Sequence, residues 1–374
     1  MTNLPQGFTV HVANMGVKDD TNDVMVLNCE TSAVAAGVFT QSRFAGPSVT
    51  ISRHNISSGT ARAVTVVSKN ANVATGATGH ANATEITQLV GAAINADPSD
   101  VIIGSTGVIG VQYPMERIRS HLTALHTPFH ERSADVAASA IMTTDTYPKV
   151  ASASAGPATV VGFAQGVGMV EPDMATMIAV ITTDAHVSAY ELDRTFRRVV
   201  DRTFNALSID TDTSTSDMAV VLASGMAGPT DETQFEAALL DVCLNLTRQL
   251  AADGEGAETL IVVDVGSARD DDQARRVAKA VVNSPLVKTA LHGGDPNWGR
   301  LVAVAGRAGV DFDLSHSRVR IGTAVLFEND TVHADREPQA AEHLKGKEVS
   351  VGVDLGVGGP GEATVWTCDL SSEY

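Results

Sequence analysis

Residues 158–185 read ATVVGFAQGVGMVEPDMATMIAVITTDA, two short apolar runs joined by an irregular, glycine-rich segment. The β-branched residues in the two runs predict a strand on each side of that segment. The second strand begins at Thr176, so a hydroxyl stands where the irregular segment meets the strand. A threonine in this position is usually explained by its preference for strands. A chemical role for Thr176 therefore needs support from the rest of the chain.

On both sides of this stretch, short β-branched runs alternate with amphipathic runs, which predicts a layered α/β fold. Strands are predicted in residues 33–40, 61–70, 100–105, 259–268, 318–327, 348–356 and 363–370, with a hairpin that turns at Gly156 and Pro157. Helices are predicted in residues 83–95, 114–125, 133–144, 188–207, 232–253 and 272–283, with a short one in 340–346. Ser133 is the expected N-cap of its helix. The last strands and the short helix are expected to form an additional α+β C-terminal lobe.

The net charge and composition indicate which kinds of molecule the protein is expected to bind. The 374 residues carry a formal net charge of −18, spread along the sequence, which disfavours nucleic acid and anionic lipid. There is no run of about 18 to 20 apolar residues that could span a bilayer and no basic, then apolar, leader. A cytoplasmic protein with small-molecule substrates is therefore expected. Cys29, Cys243 and Cys368 lie far apart, and we interpret them as buried apolar residues.

Signatures of common cofactor enzymes are missing from the sequence. It contains no HExxH, Walker loop, GxSxG or suitably placed GxGxxG, and its histidines lack the spacing of zinc ligands. The run DTDTSTSD (210–217) lacks the glycine and the final glutamate of a calcium loop. We expect it to be a polar turn that supports a site. No metal and no cofactor are expected.

Thr176 could act without a histidine partner. If its hydroxyl attacks the carbonyl of Ala175, the peptide bond becomes an ester, and hydrolysis of that ester leaves Thr176 with a free α-amine. An α-amine titrates near neutral pH, at about 7.7 to 8.0, so it can take the proton of its own hydroxyl. Acyl transfer is then possible in a chain that has no evident Ser/His/Asp triad.

Several long segments, in this order, resemble one family over nearly the whole chain: GVFTQSRFAGPSV, SKNANVATG, GSTGVIG, IMTTDT, GVGMVEPDMATM, SIDTDTSTSD, DGEG and NSPLVKTALHGGDPNWGR. They are similar to the ornithine acetyltransferases, also called glutamate N-acetyltransferases. The cleavage region and the SIDTDTSTSD run are most similar to the version encoded with clavulanic acid biosynthesis. The resemblance implies an αββα-like layered fold, related to that of self-processing aminopeptidases.

The resemblance also implies roles for particular residues. Thr176 corresponds to the nucleophile, and Ala175 to the last residue of the first chain. Thr106 and Gly107 correspond to the pair that stabilises the oxyanion, which suits a glycine-rich turn with a neighbouring hydroxyl. Thr143 resembles a substrate contact.

Glu255, in DGEG, resembles a second substrate contact, since a carboxylate suits the ammonium end of ornithine. Where the family has a lysine, this chain has Gln165, and the family's final segment with an Asn and a Ser or Thr is missing after Tyr374. A glutamine offers a carboxylate only a neutral amide. The loop HGGDPNWGR lies near the site in the family, although Asp295 or Asn297 could simply cap a helix.

By resemblance, cleavage would leave chains 1–175 and 176–374 interleaved in one core, and two such pairs would form an (αβ)2 heterotetramer. Three parts are expected: a catalytic core (1–185), an α/β middle lobe (186–285) and the C-terminal lobe (286–374). The expected reaction moves an acetyl group from N-acetylornithine, or a similar N-acetyl amino acid, to glutamate by a ping-pong mechanism. The alternatives are an amidase or aminopeptidase that uses water as acceptor, and an inactive relative that acts as a binding protein.

Overall fold

The computed structural model describes residues 1–171 and 177–374, which form two compact units. The first unit contains residues 1–205 and 212–246, and the second contains residues 206–211 and 247–374. The expected cut between Ala175 and Thr176 lies outside the described residues. The division into three parts at residues 185 and 285 remains a prediction.

The first unit is built on one large sheet with helices on both faces. Its elements are β1 (Phe8–Ala13), β2 (Val24–Phe39), α1 (Pro47–Asn55), β3 (Thr60–Val67), α2 (Gly76–Ile94), β4 (Val101–Ser105), α3 (Met115–Ala124), α4 (Ala134–Ile141), β5 (Lys149–Ala155), β6 (Ala158–Gln165), β7 (Ile178–His186), α5 (Ala189–Arg202), β8 (Met218–Pro229) and α6 (Glu232–Ala252), whose last turns belong to the second unit. The strand order is β4-β3-β2-β8-β7-β6-β5, with β1 paired to β2. The pairs β3–β4 and β7–β8 are parallel, and the other pairs are antiparallel.

Alternation along β2 shows how the sheet separates two apolar layers. Met25 and Leu27 belong to the core that contains helix α4, whereas Val24 and Val26 belong to the core that contains helices α2 and α3. Successive side chains of a strand point to opposite faces, so one strand serves both cores. This confirms the layered α/β fold.

The second unit has its own mixed sheet. Its elements are β9 (Leu260–Ala268), α7 (Asp271–Val282), α8 (Pro285–His292), α9 (Trp298–Gly306), β10 (Arg318–Ile321), β11 (Ala324–Glu328), β12 (Thr331–Val332), α10 (Glu337–His343), β13 (Glu348–Asp354) and β14 (Gly361–Cys368). The strand order is β12-β11-β10-β13-β9-β14, and β9 and β13 are parallel. Lys288 of α8 is buried, which lowers the pKa of its ammonium group, and it donates to the Ile209 carbonyl.

The predicted helices are present, and so are the predicted strands, except that residues 318–327 form two antiparallel strands, β10 and β11, because Gly322 turns the chain at a φ of +58°. The sequence analysis missed β1, the part of β2 before Ala33, α1, β8, α8 and β12. The missed strand β8 lies at the centre of the first sheet, between β2 and β7. Its buried start reads MAVVLA, in which only Val220 and Val221 are β-branched, whereas methionine, alanine and leucine favour helices, so the run does not look like a strand.

The three cysteines are buried, as expected, and form no disulfide within the described ranges. No helix in the described ranges is both long enough and apolar enough to cross a membrane.

Ser133 caps helix α4, as predicted: its hydroxyl accepts a hydrogen bond from the Val136 N–H at 3.3 Å. We expect Ser133→Ala to lower the free energy of unfolding by about 1 kcal/mol, because the N–H loses its acceptor. Urea unfolding would measure this. Ser139→Ala is the matched control, since Ser139 is exposed inside the same helix, where alanine is the better helix former. An equal loss in both variants would contradict the capping role.

Candidate active site

The candidate site lies just beyond the ends of β3 and β4. The segments that follow these two strands remain hydrogen-bonded to each other past the edge of the sheet. The Val108 N–H donates to the Lys69 carbonyl at 3.3 Å, and the Ala71 N–H donates to the Val108 carbonyl at 3.0 Å. The GSTG turn therefore runs beside the SKNANV segment, although the two are more than thirty residues apart in sequence. Two of the segments that carry the family resemblance meet here.

Gly107 is the point of closest approach between these segments. Its φ is +128°, and a Cβ placed on it would lie 2.2 Å from the Lys69 carbonyl carbon and 2.6 Å from the Asn70 nitrogen. Real Cβ atoms do not approach backbone atoms so closely, so no larger residue fits without moving the chain. Glycine is required at this position for a steric reason as well as a conformational one.

Two hydrogen-bond donors of the turn have no acceptor among the residues that the structure describes. The Thr106 N–H is used by the Val67 carbonyl at 3.1 Å. Within the described part of the chain, the Thr106 hydroxyl and the Gly107 N–H have no hydrogen-bond partner. Two adjacent donors without acceptors can hydrogen-bond to one developing negative oxygen.

These donors lie on a cavity of about 310 Å³ within the first unit. Three of the predicted site residues, Thr106, Gly107 and Thr143, line it together. The other lining residues are Lys18, Asp19, Lys69, Ala71, Val108, Ile109, Thr144, Gly168, Met169, Ser214, Thr215 and Ser216. The volume suits a small ligand and not a macromolecule.

Gln165, at the end of β6, stands next to Thr143. The Thr143 hydroxyl donates to the Gln165 Oε1 across 3.5 Å, the long limit of a hydrogen bond. Gln165 itself is buried. The structure therefore brings together four of the predicted residues: Thr106, Gly107, Thr143 and Gln165.

A buried ion pair, which the sequence analysis missed, fixes this corner. Asp145 accepts from Lys149 at 2.6 Å, and both side chains are fully buried. The same carboxylate accepts from the Thr143 N–H at 3.1 Å and from the Gly166 N–H at 2.8 Å. The carboxylate thereby holds the backbone of Thr143 close to that of Gly166, the residue after Gln165. Sequence alone gave no sign of it, because Asp and Lys four residues apart are common on surfaces.

A second ion pair lines the cavity directly. Lys69 has a φ of +71°, unusual for a residue with a side chain, and only 8% of it is exposed. Its ammonium group donates to Asp19 at 2.5 Å and to the Thr21 carbonyl at 3.0 Å. The bonds from Lys69 and Thr21 hold the pKa of the Asp19 carboxyl well below its ordinary value. Strained residues of this kind concentrate at functional sites.

The DTDTSTSD run lies at the cavity, as the sequence analysis expected of a polar turn. Thr213 pairs with Val170, and the Glu171 N–H donates to the Asp212 carbonyl at 2.9 Å. The hydroxyl of Ser216 is buried, and no described residue hydrogen-bonds to it. Ser216 also lines the cavity, and a buried hydroxyl without a partner at a cavity wall needs an explanation, of which a ligand contact is one.

The predicted nucleophile Thr176 and its neighbour Ala175 lie outside the described residues. The residues that flank this segment are placed: Gln165 and Ile178 are partners in the antiparallel pair of β6 and β7. The connecting segment therefore starts and ends at neighbouring points on the same edge of the sheet.

Two other predicted features lie in the second unit. Glu255 stands exposed in the turn after α6, and its carboxylate has no partner among the described residues. In the HGGDPNWGR loop, Asn297 occupies the N-cap position of α9 without a side-chain cap bond. Trp298 stacks on Phe327, with ring centroids 5.3 Å apart. Within the described ranges, no group of three or more His, Cys, Asp or Glu side chains could hold a metal ion.

Comparison with known proteins identifies the family. The sequence model of the ArgJ family matches residues 9–374. Glutamate N-acetyltransferase Oat2 of Streptomyces clavuligerus is 51% identical over 99% of this chain and 96% of its own length. Arginine biosynthesis bifunctional protein ArgJ 2 of Nostoc is 47% identical over 100% of this chain and 96% of its own length. A solved ArgJ from Bacillus halodurans is 37% identical over 52% of this chain and 93% of its own, with a TM-score of 0.49.

The family model and the two curated relatives define the class of the protein as an acyltransferase of the glutamate N-acetyltransferase and ornithine acetyltransferase type. The chain belongs to the ArgJ family. The resemblance drawn from the sequence is thereby confirmed, including its similarity to the type of the clavulanic acid cluster.

We expect Gly107→Ala to lower the rate of acetyl transfer by about two orders of magnitude, the typical cost of losing an oxyanion donor. The added methyl group would collide with the backbone of Lys69 and displace the Gly107 N–H. Steady-state kinetics with an N-acetyl amino acid would measure the loss. Gly110→Ala is the matched control, because Gly110 also has a positive φ (+83°) but no described atom within 4 Å of an added Cβ. Equal rates in both variants would contradict the crowding argument.

Ser216→Ala should separate stability from activity. Removing a buried hydroxyl without a partner should leave the free energy of unfolding unchanged or raise it by about 1 kcal/mol, whereas loss of a ligand contact should raise KM. Urea unfolding and kinetics on the same samples would measure both. Ser48→Ala is the control: its hydroxyl is also buried and unpaired among the described residues, but it does not line the cavity. A rise in KM with Ser48→Ala would argue against a local role for Ser216.

Proposed function

We propose that this protein cuts itself between Ala175 and Thr176 and then transfers acetyl groups through Thr176. The observation that carries the proposal is the pair of free donors, the Thr106 hydroxyl and the Gly107 N–H, at a cavity that Gly168 and Met169 also line. Those two residues precede Thr176 in the same connecting segment. The 51% identity to a glutamate N-acetyltransferase over almost the whole chain supports the same chemistry.

Self-cleavage begins when the Thr176 hydroxyl oxygen attacks the carbonyl carbon of Ala175. The carbon–nitrogen bond breaks, the nitrogen takes the proton, and an ester joins Ala175 to the Thr176 side chain. Water then hydrolyses the ester. Ala175 ends the first chain as a carboxylate, and Thr176 begins the second with a free α-amine.

The transfer reaction uses that amine as general base. It takes the proton of the Thr176 hydroxyl while the oxygen attacks the acetyl carbonyl of N-acetylornithine, or of a similar N-acetyl amino acid. The Thr106 hydroxyl and the Gly107 N–H hydrogen-bond to the resulting oxyanion. The amine of ornithine leaves with a proton, and an acetyl ester remains on Thr176.

Glutamate completes the cycle when its amine attacks the acetyl ester and regenerates the hydroxyl. One amide is exchanged for another, so the transfer is close to thermoneutral and needs no cofactor. Thr143 and Gln165 contact the substrate at the end of β6. Glu255 binds the side-chain ammonium of ornithine, since it is an exposed carboxylate with no partner in the described ranges.

The same proposal covers assembly and location. Chains 1–175 and 176–374 stay together after the cut, and two such pairs form an (αβ)2 heterotetramer. The enzyme works in the cytoplasm on small molecules, without contact to nucleic acid or membrane. Sedimentation of the purified protein would measure the assembly.

Intact mass and N-terminal sequencing of freshly purified protein test the cut. We expect two fragments, the second beginning at Thr176, and a single uncut chain for Thr176→Ala, because alanine has no nucleophilic oxygen. Thr176→Ser keeps the hydroxyl and is expected to be cut. A wild-type chain that stays whole would favour the inactive, binding-protein alternative.

Incubation with N-acetylornithine tests the acyl-enzyme. We expect the fragment that begins at Thr176 to gain the mass of one acetyl group and to lose it when glutamate is added. Product analysis without glutamate identifies the amidase alternative, because water would then release free acetate at the full rate. A fully cut sample that gains no mass with several donors would overturn the mechanism.

A further inference from the structure

The described lining of the cavity carries more positive than negative charge, in a chain whose net charge is −18. Among the described residues, its charged side chains are those of Lys18 and Lys69, which are positive, and of Asp19, which is negative. Gln165 adds no charge because its side chain is an amide. The surplus of one positive charge makes the cavity suited to an anionic ligand.

The two lysines differ in what they already bind. Lys69 donates to Asp19 at 2.5 Å and is 92% buried, so its charge is neutralised by that carboxylate. Lys18 is exposed, and among the described residues its ammonium group has neither an ion pair nor a hydrogen bond. The surplus charge of the cavity is therefore carried by Lys18.

The backbone holds Lys18 in place on both sides. The Val17 N–H donates to the carboxylate of Asp23 at 2.7 Å, and that fully buried carboxylate also accepts from the Met15 N–H at 2.6 Å. On the other side, the Asp19 side chain is bound to Lys69. A free cation between two anchored neighbours loses less conformational entropy on binding than one on a free loop.

We propose that Lys18 binds the α-carboxylate of the N-acetyl amino acid donor and of the amino-acid acceptor. The inference rests on the proposed function and names the group that recognises the substrate class of the same cavity. The pair Lys69–Asp19 acts as a positioning element, because it fixes the residue next to Lys18 and contributes no net charge. Lys18 thus supplies the positive charge that Gln165 does not.

Kinetics of Lys18→Gln with two matched donors test the assignment. One donor is N-acetylornithine, and the other is its α-carboxamide, which keeps the shape but not the charge. For the carboxylate donor we expect KM to rise about tenfold with kcat little changed, because a charge-assisted contact made equally in ground and transition states is lost. For the carboxamide donor we expect KM to stay the same.

Two further variants complete the design. Lys18→Arg keeps the charge and should retain most of the preference for the carboxylate donor. Lys345→Gln removes an exposed lysine of the second unit, which pairs with Glu342, and should leave both KM values unchanged. The effect of Lys18→Gln should also shrink as salt is added, since an exposed charge is screened.

Different results would overturn the role of Lys18 and the proposed function. If Lys18→Gln leaves KM for the carboxylate donor unchanged, or raises KM equally for both donors, the assignment is overturned while the proposed function stands. If the wild-type enzyme, cut at Thr176, transfers no acetyl group from any donor, the proposed function is overturned and the role of Lys18 falls with it.

Discussion

The contact between the Gly107 backbone and the Lys69–Asn70 backbone is the constraint on which the site depends. Hydrogen bonds at both ends of this contact continue the parallel pairing of β3 and β4 past the edge of the sheet. Because a Cβ at Gly107 would fall within 2.6 Å of three backbone atoms, the two segments touch without side chains between them. Because the N–H groups of Thr106 and Val108 both donate to the neighbouring segment, the N–H of Gly107 between them points away from it.

Charged groups then set the remaining geometry. Asp145 and Lys149 form a fully buried pair, and the carboxylate also accepts two backbone N–H groups, so removing Lys149 would leave a buried carboxylate without this countercharge. Such a pair contributes less to net stability than to the definition of one arrangement. It holds the Thr143 and Gly166 backbones together, and the Lys69–Asp19 pair holds the other wall of the cavity. An ion pair therefore helps to hold each of these two parts of the site.

Much of this architecture could be predicted from the sequence, and the exceptions have physical causes. The hairpin of β5 and β6 and the cap at Ser133 follow local rules, and both are present. The central strand β8 was missed because most of its buried residues are methionine, alanine and leucine, which favour helices more than strands. Of the site residues, Thr106, Gly107, Thr143 and Gln165 were found through long motifs and lie together. The roles of Asp145 and Lys69 depend on contacts between distant segments, which no local pattern encodes.

The order of the strands has a consequence for a chain cut after Ala175. Strands β7 and β8 would belong to the second product, yet they lie between β2 on one side and β6 on the other, both from the first product. Neither product could leave without breaking two rows of backbone hydrogen bonds. Before the cut, folding is a reaction within one molecule; after it, an unfolded pair would have to find each other again at a cost in translational freedom. Once unfolded, the cut protein would therefore refold poorly. The working lifetime of the enzyme would then be governed by its rate of unfolding.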